Sequence, residues 1–303
     1  MKIILIADRP GWAYDILAQS IKSKSKYQSI DVAYISDIRL NTSTFDVSNY
    51  DVVFFFLWYD AMRYGPKING FEFTKTCVGI HSLDSWMKRG LNVSQTSSIC
   101  NQFAASGFIS KQIGTILSLE KGFFTPNGID KELFHPTPLP ALDEIRFMWV
   151  GNPKESHHGN NKAFYSIIKP IAEELNLNLS LATPELPVAR DKMGEFYANN
   201  HVLLCMSEFE GGPLPIIEAL ASGRPVVTSN VGVVPEVVKD GENGYIISRS
   251  RTALRKCILQ ILDRPAVLTG LSHAAPPFVN NRYSKNMAES YDSMFEFVSK
   301  GVL

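Results

Sequence analysis

Ile3–Ala7, Val52–Leu57 and Val202–Met206 are unbroken apolar runs of five or six residues. Runs this short and this continuously apolar suit strands covered on both faces, and such strands belong to parallel sheets whose crossovers are helices. Further runs at Val32–Ile35, Val78–Ile80, Phe147–Val150, Leu177–Leu181, Pro225–Ser229 and Tyr245–Ile247 repeat the theme. Between them lie stretches with helical spacing at Trp12–Lys24, Asn161–Leu175, Asp191–Asn199 and Leu214–Ala221. Alternation of this kind predicts an α/β chain made of two Rossmann-like halves in tandem.

His135 to Pro140 reads HPTPLP, with three prolines in six residues. Such text continues neither a helix nor a central strand and suits a stiff connector. The expected domains are therefore 1–136 and 141–283, with a helix over 284–303 packing back on the amino-terminal domain. The 303 residues hold thirty Lys+Arg and thirty Asp+Glu, so no whole-molecule field recruits a polyanion. Four scattered cysteines form no CxxC pair and read as reduced and structural. The apolar run at the amino terminus is too short for a signal peptide or a membrane span, which makes a cytoplasmic location the expectation.

The most informative stretch runs from Ser207 to Val227, from a strand end through Gly211-Gly212-Pro213 into a helix. The first amides of such a helix lack intrahelical partners and present a positive end, which suits a diphosphate. Gly211 and Gly212 permit close backbone approach, and Pro213 fits an early helical position. Glu210 and Glu218 are eight residues apart, and at ~1.5 Å rise per residue two carboxylates so spaced flank a ligand of nucleotide-sugar length. For an isolated pair a helix cap and a solvated acid would be the ordinary reading. Glu218, however, is wedged between Ile216-Ile217 and Ala219-Leu220-Ala221, where a carboxylate requires a specific partner.

The pattern Ser207-x-x-Glu210-Gly-Gly-Pro-x-x-x-x-Glu218-Ala-x-Ala-x-Gly223-x-Pro225-Val-Val, continuing through Val231-Gly232 and Pro235-Glu236 to Gly244, resembles family 4 of the retaining GT-B glycosyltransferases. Pro126-Asn127-Gly128-Ile129-Asp130 resembles that family's interdomain element. The resemblance implies a GT-B fold, two Rossmann-like domains facing each other across a cleft. It implies that Glu218 holds the donor ribose and that Glu210 acts on the transferred sugar. Backbone around Gly211, Gly212, Pro213 and Leu214 would lie against sugar and phosphate. The family places an Arg and a Lys on the diphosphate after the first strand of the second domain. Here that text is Gly151-Asn152 followed by Lys162, with Asn152 where Arg is usual and Lys154 or Arg190 as substitutes.

In the first half, Gly11 and Trp12 follow the first strand, where a glycine lets the chain turn beside a bound sugar or acceptor. His81, at the end of the Val78–Ile80 run, is the counterpart of a family histidine that bonds a sugar hydroxyl or the leaving phosphate, against the plainer reading of a histidine bonded to a neighbouring loop. His157 and His158 read as a surface pair. No Asp-x-Asp motif or metal-ligand spacing occurs, so neither a metal nor a cofactor is expected. The aromatic-basic stretches Trp58–Lys67 and Trp86–Arg89 suit stacking on sugars or bases, or an anionic membrane surface at the inner face; solvated charge beside buried rings accounts for them equally well.

The resemblance thus implies retaining, metal-independent transfer from a UDP- or GDP-sugar to an acceptor hydroxyl. A glycan, a lipid-linked carrier or another hydroxyl acceptor all fit; the neutral charge disfavours a nucleic acid. The alternatives are a nucleotide-sugar epimerase or hydrolase of the same fold, and a binding protein without turnover.

Overall fold

The computed structural model describes residues 1–82, 84–154 and 162–301. It comprises two compact units, Met1–Gly128 with Ser284–Leu303, and Ile129–Tyr283. The first is a six-stranded sheet of β1 (Ile3–Ala7), β2 (Ile30–Tyr34), β3 (Val52–Phe55), β4 (Thr76–Ile80), β5 (Ala105–Phe108) and β6 (Gly122–Phe124), in the order β2-β1-β3-β4-β5-β6. The second contains β7 (Arg146–Val150), β8 (Asn178–Ala182), β9 (Val202–Cys205), β10 (Val226–Thr228) and β11 (Gly244–Ile246), in the order β11-β10-β9-β7-β8. Neighbouring strands in both sheets pair in parallel. This is the GT-B pair of α/β sheets that the sequence led us to expect.

The continuous apolar runs follow from burial on both faces. Val52, Phe54 and Phe56 enter one cluster of the first unit and Val53 and Phe55 the other. Strands β5 (Ala-Ser-Gly-Phe) and β6 (Gly-Phe-Phe) escaped the pattern because glycine and serine interrupt any apolar run. In each unit the strand order reverses once, between β1 and β3 and between β7 and β9. Loops leaving the carboxyl ends of such a pair diverge to opposite faces and open a crevice.

The first unit ends at Gly128 rather than at 136, and the proline-rich stretch is part of the second. The physical reason is Arg224, whose side chain is fully buried. Its guanidinium donates to the Thr137 carbonyl at 2.9 Å, Thr137 Oγ1 at 2.7 Å and the Pro138 carbonyl at 2.9 Å, while Nε reaches the Tyr197 carbonyl at 3.0 Å. Prolines leave their carbonyls free to accept, and Arg224 gathers them onto the second sheet's helices.

The helix Ser284–Ser299 belongs to the first unit and buries Met287, Tyr291, Met294, Phe295 and Val298 in its core. Tyr291 meets Phe54 edge to face at 5.3 Å. Asp292, 4% exposed, accepts from Ser25 Oγ and, at 2.8 Å, from the Lys26 amide. All four cysteines are free. Among the described residues no helix is long and apolar enough to cross a membrane.

Candidate functional site

The segments that follow β7 and β9, at the point where the strand order reverses, carry Gly151, Lys162, Glu210 and Glu218. Strand β9 ends at Cys205, and the loop that follows carries Glu210 before the helix Leu214–Ala221 begins. Three contacts fix this loop. Ser229 Oγ, just past β10, donates to the Ser207 carbonyl, and Ser207 Oγ donates to Glu210 Oε1 at 3.0 Å. Gly232, in the left-handed region at φ 51°, lies directly beneath the turn. A Cβ there would sit 2.3 Å from the Gly211 carbonyl oxygen and 2.6 Å from that of Glu210, so only glycine lets the two loops pack.

The helix start differs from expectation in one respect. Pro213 is the N-cap, with extended backbone at φ −63° and ψ 104°, and Pro215 occupies the first turn instead. Pro215 sits where an amide would have no intrahelical partner, which is why two prolines so close together are tolerated. Leu214 and the half-buried Gly212 thus flank the cap.

Glu210 is paired. Lys162 Nζ donates to its Oε1 at 3.0 Å, with side-chain exposures of 24% and 19%. Lys162 arrives beside the carboxyl end of β7 because Gly151 lacks a side chain; a Cβ at Gly151 would meet Lys162 Cδ at 3.2 Å. Ala163 follows in the left-handed region at φ 52°, a strained state for alanine, and caps the turn Phe164–Ile168. The expected helix over 161–175 is therefore a π turn followed by the short helix Lys169–Glu174. Asn152 folds on itself, its Oδ1 accepting from the Lys154 amide at 3.0 Å, and Lys154 pairs with Glu185. His157 and His158 lie outside the described residues.

Glu218 is buried, 2% exposed, in the apolar helix as its neighbours required. Arg190 NH1 donates to Oε1 at 2.5 Å and the Tyr197 hydroxyl to Oε2 at 2.9 Å. Neither donor is signalled by spacing: Tyr197 reads as an ordinary apolar helix position, and only folding of the helix Met193–Ala198 onto the helix Leu214–Ala221 brings it to the acid. Burial, and then the Glu218 charge, push the Tyr197 phenol well above its usual range, so it remains a neutral donor.

In the first unit, Gly11 turns the chain at φ 75° and its amide donates to Asp15 at 2.8 Å. Trp12, 52% exposed, is stacked by Arg9 at 3.2 Å. His81 lies 8% exposed between Tyr14, at 4.8 Å, and Phe56, at 5.9 Å, with both ring nitrogens buried and without a partner. Burial holds its imidazole neutral down to about 3. Neither a loop partner nor a solvated, basic histidine is found there. The two arginines of the aromatic stretches stack on rings, Arg89 over Tyr59 at 3.3 Å and Arg63 over Tyr64 at 5.3 Å. Asp60, on the helix Trp58–Tyr64, drew no attention in the sequence; burial raises it to about 6. Among the described residues no group of three His, Cys, Asp or Glu side chains is placed to hold a metal ion.

Comparisons with known proteins bear on the family and the fold. Residues 142–275 match the family model "Glycosyl transferases group 1". A D-inositol 3-phosphate glycosyltransferase of Rhodococcus opacus is 28% identical over 151 residues, 50% of this chain and 32% of that protein. The chain thus spans about a third of the length of that relative. Sucrose-phosphate synthase from Thermosynechococcus elongatus superposes with a TM-score of 0.71 at 15% identity, covering 98% of both chains. HepE from Anabaena, solved with UDP, gives 0.71 at 13% identity over 98% of this chain and 100% of its own. At such identities the structural likeness establishes the fold. The family match lies on the unit that carries Lys162, Glu210 and Glu218, and through that unit the chain is similar to the glycosyl transferases of group 1, on a GT-B fold.

Proposed function

We propose that this chain is a retaining glycosyltransferase that moves a sugar from a nucleoside diphosphate donor to an acceptor hydroxyl. One observation carries the reading: Glu210 and Glu218, on a single loop and helix at the β7/β9 crevice, are each supplied with a cation and a hydroxyl donor rather than left to solvent. On this reading the ribose diol bonds Glu218, the sugar hydroxyls bond Glu210, and Lys162 leaves Glu210 for the diphosphate. The anomeric C–O bond to phosphate breaks as the acceptor oxygen attacks from the same face. The leaving phosphate takes the acceptor's proton. Its developing charge is met by Lys162, moved there when the donor binds, and by the start of the helix Leu214–Ala221, whose amides are oriented beforehand. Glu210 positions and polarises the sugar without becoming a nucleophile. The reading needs no metal, since protein groups answer the leaving-group charge.

The test is a panel of nucleotide sugars screened by thermal shift, followed by release of nucleoside diphosphate. A matched donor at a hundred times its Kd adds ~2.7 kcal/mol of stability. Glu210→Ala should keep nucleoside diphosphate binding and lose transfer by roughly a hundredfold or more. Equal turnover in Glu210→Ala, or no stabilisation by any nucleotide sugar, overturns the proposal. Asn152, standing where the family places Arg, favours a second reading, a donor-binding protein without turnover; tight donor binding with no transfer or hydrolysis would establish it.

A further inference from the structure

The two donors on Glu218 differ in kind. Tyr197 is fully buried, sets its ring edge against Phe134 at 5.8 Å, and has its own carbonyl tied by Arg224. It has no room to leave. Arg190 stands at the start of the 3-10 turn Arg190–Lys192, with its side chain 44% exposed and its guanidinium over the other side of the contact, 4.8 Å from the Phe134 ring centroid. Each donor holds a different oxygen, Tyr197 on Oε2 and Arg190 on Oε1. A half-exposed guanidinium is readily rehydrated on leaving, whereas a buried phenol is not, and the cost to the buried Glu218 carboxylate is met when another donor takes Oε1.

The geometry points to a division of labour on Glu218: Tyr197 is a positioning residue whose hydroxyl stays on Oε2 and aims the carboxylate, while Arg190 occupies Oε1 only until a ribose diol replaces it. The inference rests on the reading of this unit as a nucleotide-sugar site. It explains how a carboxylate in an apolar helix keeps a hydrogen bond in both states. With Tyr197 in place the acid is never bare, so the exchange at Oε1 is one donor for another.

The test compares UDP and GDP with their 2′,3′-dideoxy counterparts by calorimetry on the full chain, and reads the ratio of Kd values, dideoxy over ribo. Effects of a substitution on the fold or on diphosphate contacts enter both nucleotides and cancel in the ratio. The wild type should favour the ribonucleotide by about tenfold or more, the scale of a hydrogen bond to a charged group. Tyr197→Phe should lower the ratio by roughly fivefold, because the carboxylate loses its aim. Arg190→Gln should raise it by about threefold, because the competitor for Oε1 is gone. An unchanged ratio in Arg190→Gln overturns the inference, as does an unchanged ratio in Tyr197→Phe; should the latter fail to fold, the Arg190→Gln arm decides. Failure of the wild type to bind either nucleotide, or to distinguish ribo from dideoxy, defeats the donor-site reading itself and is thereby told apart.

Discussion

Gly232→Ala probes the packing that sets Glu210 in place. Alanine at φ 51° bears a conformational penalty of about 1 kcal/mol whatever its surroundings. At this position the new Cβ would also lie 2.3 Å and 2.6 Å from two carbonyl oxygens, distances at which backbone must move. Both oxygens belong to the loop of Glu210 and Gly211, so the loop is what shifts. Gly241 supplies the control, with φ 75° and nothing within 4 Å of an added Cβ. Gly241→Ala should therefore carry the conformational term alone, about 1 kcal/mol, or roughly 2–4 °C in Tm for a unit of this size. Gly232→Ala should add the overpacking term, for about 2–4 kcal/mol in all, or roughly 4–16 °C. Displacing Glu210 by the order of 1 Å should also reduce transfer about a hundredfold, and Gly241→Ala should leave it intact. Differential scanning calorimetry and a donor-turnover assay read the two effects. Equal Tm shifts for the two variants, with transfer preserved in Gly232→Ala, would refute the claim that these loops are pressed together.

His81 makes a prediction about acid. Its folded-state value of about 3 lies below the ordinary value of 6.5, so the unfolded chain binds a proton that the folded chain refuses. Its contribution is whole above pH 6.5 and declines as pH falls from there towards 3, by up to about 1.4 kcal/mol per pH unit. His81→Phe should remove that part of the acid slope in Tm against pH, and an unchanged slope would show that the ring is not held neutral. Arg224→Leu leaves the Thr137, Pro138 and Tyr197 carbonyls without their donor and should destabilise by about 3 kcal/mol or more, read by urea unfolding. Lys162→Met should alter the stability of the unliganded protein by less than about 1 kcal/mol, its ion pair being partly exposed. The same variant should weaken donor binding about tenfold or more, with a shallower dependence on salt by calorimetry.

The fold was legible where apolar runs were continuous, because a strand covered on both faces needs no polar alternation. It was hidden in β5 and β6, where Gly107 and Gly122 replace side chains that would otherwise mark a strand. Glu218 stood out because an acid amid Ile217 and Ala219 violates the pattern around it. Its partners did not, since Tyr197 and Arg190 reach it through packing between helices that no local spacing records. The connector was misplaced because prolines announce only that regular structure stops. That Arg224, more than eighty positions later, would bind their carbonyls is a tertiary fact.

The helix Ser284–Ser299 closes the core of a unit that otherwise ends at Gly128. Residues 129–283 therefore have every strand and helix they need while that helix is still being translated. The opening segment, although made first, keeps Phe54 and its neighbours uncovered until Tyr291 and Phe295 emerge. Order of synthesis and order of completion are inverted in this chain, and a chain cut back to residue 283 would hold one finished body and one sheet whose face is covered by the helix Ala13–Lys24 without its second helix.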